Sequence, residues 1–273
     1  DGEAPEDNFG ESVSLSSDGN IVAVGAPTND DNGISSGSVR IFEDISGSWS
    51  QIGQDIDGED IYNFSGNAIS ISSDGNIVAI GAHYNNGNGQ YSGHVRVYEN
   101  ISNTWTQIGQ DIDGEAADDK SGQSISLSSD GNIVAIGAGN NDGNGTDAGH
   151  VRIFKNIGGS WTQIGQDIDG ENPGDNSGGG IISNSAVSLS SNGNIVAIGA
   201  KYADGQGFNN GSNNGQVRIY EYILDTWTQI GLDIDGDVGD QSGTAVSLSS
   251  DGNIVAIGAP GNNKVRIYEN ILG

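Results

Sequence analysis

The stretch "SISLSSDGNIVAIGA" (Ser124–Ala138) decides the fold. Its first half alternates apolar and small polar residues, the pattern of a strand with one buried face. Asp130-Gly131 is a tight-turn pair, the strongest short hairpin signal. "NIVAIGA" is then a continuous apolar run with β-branched residues, suited to a strand covered on both faces.

The same turn and run recur along the chain. "DGNIVAVGA" begins at Asp18, "DGNIVAIGA" at Asp74, Asp130 and Asp251, and "NGNIVAIGA" at Asn192, giving spacings of 56, 56, 62 and 59. The longest spacing carries an insertion, "GGIISN" at Gly179–Asn184, and the 59 carries a lengthened loop at Asp204–Gly215. A second marker keeps step: "VRIF", "VRVY" or "VRIY" at Val39, Val95, Val151, Val217 and Val265. Between the markers lies an Asn/Asp/Gly-rich loop. After the second comes a short turn and a Trp segment such as "WTQIGQDIDGE" (Trp105–Glu115). No segment has helical periodicity.

Four antiparallel strands repeated five times predict an all-β fold, a five-bladed β-propeller of four-stranded antiparallel blades. A β-solenoid would have shorter turns and parallel strands, and a sandwich would not need such regular units. The Gly and Ala of "AIGA" suit the close approach of neighbouring blades near the axis. Residues 1–273 form one domain, with units at approximately 4–59, 60–115, 116–171, 172–237 and 238–273. The fifth Trp segment is missing, yet the chain opens on "DGE", the tail of that segment. This predicts a circular array opened at one outer strand, with neighbouring termini. The last blade, containing Val265–Tyr268, would lack its outer strand and present an unpaired edge to a neighbouring chain or adjoining segment.

The net charge of −28 argues against nucleic acid and anionic membranes and favours cations or basic partners. Without Cys there are no disulfides, thiolate metal sites or Cys nucleophile. Met is absent even at position 1, so the chain is expected to be a piece of a longer precursor. No apolar run reaches the roughly 18–20 residues of a membrane-spanning helix. Only 33% of residues are hydrophobic, but their strand-like clustering excludes disorder.

The first unit reads "NFGESVSLSSDGNIVAVGAP" (Asn8–Pro27). Phe9-Gly10 and Gly25-Ala26-Pro27 are the two halves of an FG-GAP repeat, and the sequence resembles the FG-GAP, or integrin alpha N-terminal-like, β-propeller family. Gly258-Ala259-Pro260 repeats the second half, and the middle units keep "SG" and "GA". The resemblance implies that the strand after "FG" is innermost, the "GA" strand second, "VRIY" third and the Trp strand outermost. Many such repeats bind calcium in an Asp-rich loop between the two halves. Here that loop has shrunk to one carboxylate (Asp18, Asp74, Asp130, Asp251) or Asn192, too few for the 6–8 oxygens of Ca²⁺. These residues are expected to be hairpin turns.

The strand order implied by the resemblance places the second-to-third and fourth-to-first loops on one Asp- and Asn-rich face. Ligand candidates there are Asp30, Asp31, Asp142, Asp147 and Asp204, the first four also as weak Ca²⁺ ligands. "DIDGE" is expected to be a strand end with a turn, and a Ca²⁺ site of Asp55, Asp57 and Glu59 is the alternative. Arg40, Arg96, Arg152, Arg218 and Arg266 share one position and are expected to pair with an Asp of a neighbouring strand. Trp49, Trp105, Trp161 and Trp227 either pack against blades or stack on sugars. His94 and His150 share a position with Ser38 and Gln216, which reads as surface. No catalytic motif is visible, so no cofactor is expected apart from Ca²⁺.

These readings predict a secreted or cell-surface, non-enzymatic adhesion, recognition or structural module that binds a protein or cell-surface glycan, with no membrane insertion. The alternatives are a lectin with repeated sites between blades and a polysaccharide-active hydrolase or lyase. The latter would be centred on the irregular Gly178–Asn184 and Asp204–Gly215 regions.

Overall fold

The structure, a computed structural model, describes residues 2–179, 185–204 and 213–270. Most of the Gly179–Asn184 insertion and of the Asp204–Gly215 loop lies outside the described residues, as do Asp1 and residues 271–273. Five sheets follow one another along the chain, and one short 3-10 turn, Pro260–Asn262, is the only helical element among the described residues.

In the third sheet Ser124–Leu127, Ile133–Ala138, His150–Ile157 and Ser160–Gln163 lie side by side in chain order, all antiparallel. The implied strand order therefore holds. The Trp segment is split in two. Ser160–Gln163 pairs with one end of the third strand and Ile168–Asp169 with the other. Between them Gly165 turns at φ +72, and Gln163 Nε2 donates to Asp167 Oδ1 at 2.6 Å. The fifth sheet has three strands, Ala245–Leu248, Ile254–Ala259 and Lys264–Glu269, as the sequence predicts.

The hairpin turns consume their carboxylates. Asp130 Oδ1 accepts from Ser128 Oγ at 2.6 Å and from the Asn132 amide at 3.0 Å. Asp18, Asp74 and Asp251 repeat both bonds, and Asn192 repeats them through its amide oxygen. Hydrogen bonding to the charged form lowers the pKa of Asp251 to about 2.

The two halves of the repeat motif are the two sides of one contact. A Cβ placed on the "GA" glycines Gly25, Gly81, Gly137 and Gly199 would overlap the backbone carbonyls of Gly66, Gly122, Gly178 and Gly243 in the next blade. Successive turns also join, since the Ser17, Ser73, Ser129 and Ser191 amides donate to the Ser73, Ser129, Ser191 and Ser250 carbonyls at 2.8–2.9 Å. The core lies between sheets, with Ile125, Leu127, Val134 and Ile136 of the third packed on Val95, Val97 and Ile112 of the second. Each such side chain contributes about 1.5–3 kcal/mol on burial.

The end blades do not meet, which corrects the expectation of a ring open at a single strand. Gly10, the "FG" glycine, has nothing within 4 Å of a Cβ, and Gly258 meets only Ala245 of its own sheet. Val13 and Leu15 are 64% and 59% exposed, where Ile125 and Leu127 are buried. Val265 and Ile267 are 73% and 70% exposed, where Val151 and Ile153 are fully buried. One face of the first blade and the opposite face of the last are uncovered, so the propeller is an open arc.

Candidate functional site

The loop face is assembled at blade junctions. The amide side chains of Asn32, Asn88 and Asn144 donate to the Gly58, Gly114 and Gly170 carbonyls at 2.7–2.8 Å. These bonds tie the second-to-third loops to the "DIDGE" tails, so both loop sets share one face.

Beneath them the first residues of each third strand meet the tail of the preceding unit. Arg96 Nη1 lies 3.4 Å from Glu59, and its Nη2 donates to the Asp57 carbonyl at 2.8 Å. Arg152 repeats this with Glu115 and the Asp113 carbonyl, and Arg218 with Glu171 and the Asp169 carbonyl. Each guanidinium also lies over the ring two residues on: Tyr98 at 5.5 Å, Phe154 at 5.3 Å and Tyr220 at 5.6 Å. The expected Asp partner is thus a Glu in the first four units, Arg40 pairing with Glu3. Arg266 pairs with aspartates, Asp237 and Asp240.

The surface reading of His94 and His150 is overturned, since both are 1% exposed. A carboxylate of the same unit and the Glu of the preceding one close over them. His94 Nδ1 lies 4.0 Å from Glu59 and 3.8 Å from Asp111, and His150 Nδ1 lies 3.8 Å from Glu115. Burial drives both imidazoles down to about 4, the neighbouring Arg96 and Arg152 add to the shift, and Asp111 and Asp167 oppose it. His83 falls to about 4 through burial and Lys120. All three are neutral at pH 7, so the imidazole–carboxylate contacts are not ion pairs there.

An unfolded chain therefore takes up protons at these histidines near pH 6.5, before the folded one. Stability is fully present above that pH and is lost as pH falls toward about 4, by up to about 1.4 kcal/mol per histidine per pH unit. Burial raises Asp57, Asp113 and Asp169, which act oppositely, adding stability as pH falls through their raised pKa values. His94→Gln, the residue found at the equivalent Gln216, is expected to flatten the unfolding free energy measured by denaturant between pH 6.5 and 5. An unchanged slope would refute the neutral imidazole.

Among the described residues three clusters bring ligand atoms within 4.8 Å of one another: Glu59–His94–Asp111, Glu115–His150–Asp167 and Glu3–Asp31–Asp55. A neutral imidazole with two carboxylates suits Zn²⁺, and the all-oxygen trio suits Ca²⁺. Cation binding is expected to raise the melting temperature by about 2–4 °C per kcal/mol of binding. Asp31→Asn should remove the Ca²⁺ gain, and His94→Gln with His150→Gln the Zn²⁺ gain. No gain in the parent chain at millimolar ion refutes the site concerned.

The loop aspartates are otherwise turn staples. Asp30, Asp142 and Asp204 each accept a backbone amide across their loop, from Ser35, Asp147 and Asn213, at 2.7–2.8 Å. Asp147 accepts from Asn140 Nδ2 at 2.8 Å. Of these candidates only Asp31 enters a carboxylate cluster. Trp105, Trp161 and Trp227 are buried, their indole Nε1 atoms donating to the Ile52, Ile108 and Ile164 carbonyls at 2.8–2.9 Å. Only Trp49, half exposed, presents a ring for stacking. Sequence reasoning missed the His–Glu–Asp clusters. Their signal was a His just before "VR" in the two units that also keep "DIDGE" in register.

The first unit settles the relationship. Residues 1–42 match the FG-GAP repeat family. The chain opens with an FG-GAP repeat. The glycine contact and strand order of that FG-GAP repeat recur in the later units. None of the curated proteins matches the chain. Among solved structures it is similar to hydrazine synthase of Kuenenia stuttgartiensis, at 15% identity and TM-score 0.58, covering 94% of this chain and 63% of that one. The chain thus spans less than two thirds of that enzyme. It is also similar to the β-propeller domain of the Trilobed protease of Pyrococcus furiosus (14% identity, TM-score 0.54, 96% of this chain and 69% of that one). The periplasmic gluconolactonase of Pseudomonas aeruginosa matches at 15% identity and TM-score 0.51, over 94% and 70%. At these identities the likeness is one of fold.

Proposed function

We propose that this chain is a non-enzymatic recognition or adhesion module acting outside the cell, meeting a protein or cell-surface glycan through its acidic loop face. The observation that carries this reading is the repetition of one acidic junction. Carboxylates, a guanidinium and a buried polar side chain recur in register around Arg96, Arg152 and Arg218, and the junction at Arg266 keeps the carboxylates and the guanidinium. Repeated equivalent groups on a rigid scaffold suit multivalent contact better than one reaction centre.

The test is retention of extracellular proteins and glycans on the immobilised chain, compared with Glu59→Gln/Glu115→Gln. Retention lost in the double variant and at high ionic strength supports the reading. Partners held equally by both chains at any salt would refute the acidic face.

A further inference from the structure

Blade 1 departs from blades 2 and 3 at two positions, and both departures put oxygen into one place. In blades 2 and 3 the third strand opens on His94 or His150. Each imidazole meets two carboxylates, Glu59 and Asp111 or Glu115 and Asp167. In blade 1 the same position is Ser38, opposite Asp57 in the strand pair as His94 is opposite Asp113. Ser38 is 2% exposed, and its Oγ has no hydrogen-bond partner. The Oδ1 atom of Asp57 is buried and unpartnered as well. The side chains of a directly opposed pair stand on the same face of a sheet, so both oxygens point to one side.

The second departure is Asp31, where blades 2 and 3 have Gly87 and Gly143. A Cβ on Gly87 would lie 3.0 Å from Asp113 Oδ1, which places Asp31 against the equivalent Asp57. Burial raises Asp57, and the charges of Asp55 and Asp31 add to the shift. Glu3, Asp31 and Asp55 bring ligand atoms within 4.8 Å of one another. Arg40 Nη1 lies 3.6 Å from Glu3, but among the described residues no ion pair reaches Asp31, Asp55 or Asp57.

We propose that blade 1 binds Ca²⁺ at this junction through the carboxylates of Glu3, Asp31 and Asp55. The Ser38 hydroxyl and the Asp57 carboxylate beneath them supply further oxygens, directly or through water. Three carboxylates, each able to bind through one or both oxygens, reach the 6–8 ligands of Ca²⁺ together with these two groups. A donor set of oxygens alone favours Ca²⁺ over Zn²⁺, which the imidazoles of blades 2 and 3 suit better. The cation also answers two buried oxygens that are costly to leave unmatched. This junction is on the loop face and separate from the hairpin turn, where Asp18 is bonded by Ser16 and Asn20.

Calorimetric titration of the chelator-treated chain with Ca²⁺ tests the site, and melting temperatures in chelator check that each variant folds. Saturable binding is expected in the parent chain. It should be weaker by about tenfold or more in Asp31→Gly and in Ser38→His, which restore the residues of blades 2 and 3. The reverse exchange tests for a gain. Gly87→Asp with His94→Ser gives blade 2 the same set, with Glu59, Asp111 and Asp113, and should add a second Ca²⁺ per chain. Gly87 has no positive φ, so the backbone accepts aspartate there. Absence of saturable binding in the parent chain at millimolar Ca²⁺ overturns the proposal, as does binding that either Asp31→Gly or Ser38→His leaves unchanged. A folded Gly87→Asp/His94→Ser chain with unaltered stoichiometry overturns the role given to these two positions.

Discussion

Gly137→Ala is expected to destabilise the protein by about 3 kcal/mol or more, while Gly258→Ala, in the same "IVAIGA" context, is expected to be neutral or stabilising by up to about 1 kcal/mol. Neither glycine has a positive φ, so alanine strains neither backbone, and removing glycine freedom from the unfolded chain favours both substitutions equally. The difference is what the new methyl meets. At Gly137 it overlaps the Gly178 carbonyl, which belongs to the backbone of the next blade and cannot rotate away. At Gly258 it makes an ordinary 3.5 Å contact with Ala245. Denaturant midpoints for the two variants measure this directly. Equal losses would mean that the last blade is covered in solution as the others are.

Trp161→Ala is expected to cost about 3–5 kcal/mol and Trp49→Ala less than about 1 kcal/mol. Both residues open an outer strand in the same repeat position. Trp161 is 4% exposed, bonded to the Ile108 carbonyl and part of the buried cluster that holds Phe154 and Val134, so truncation empties a closed volume and orphans an acceptor. Trp49 is half exposed, so its truncation empties no closed volume. Thermal and denaturant unfolding of both variants gives the comparison. A large loss at Trp49 would refute its exposure, and a small one at Trp161 would refute its burial.

These contrasts also show where sequence reading reached its limit. The four strands of each unit were legible because alternation, the Asp-Gly turn and the apolar run are properties of neighbouring residues, repeated five times, and their order followed from the FG-GAP resemblance. The three-stranded last blade followed from the missing Trp segment. The turn role of Asp18, Asp74, Asp130 and Asp251 was legible for the same local reason: the carboxylate bonds residues two positions away. His94 was misread because substitution by Ser and Gln at the same position suggested solvent, whereas Glu59 and Asp111, far off in sequence, close over it. The Arg partners were misassigned to Asp because two carboxylates of the same "DIDGE" tail compete, and only geometry shows Glu59 reaching the guanidinium while Asp57 offers its carbonyl.

The sequence by itself determined the repeating unit, its four strands and the glycines at which units touch, since these depend on short-range pattern and on the absence of a Cβ. Only the tertiary structure decided which of five equivalent positions is buried and which histidines stay neutral. Those properties belong to the blade next door, and burial, desolvation and an open edge depend on whether that neighbour is present.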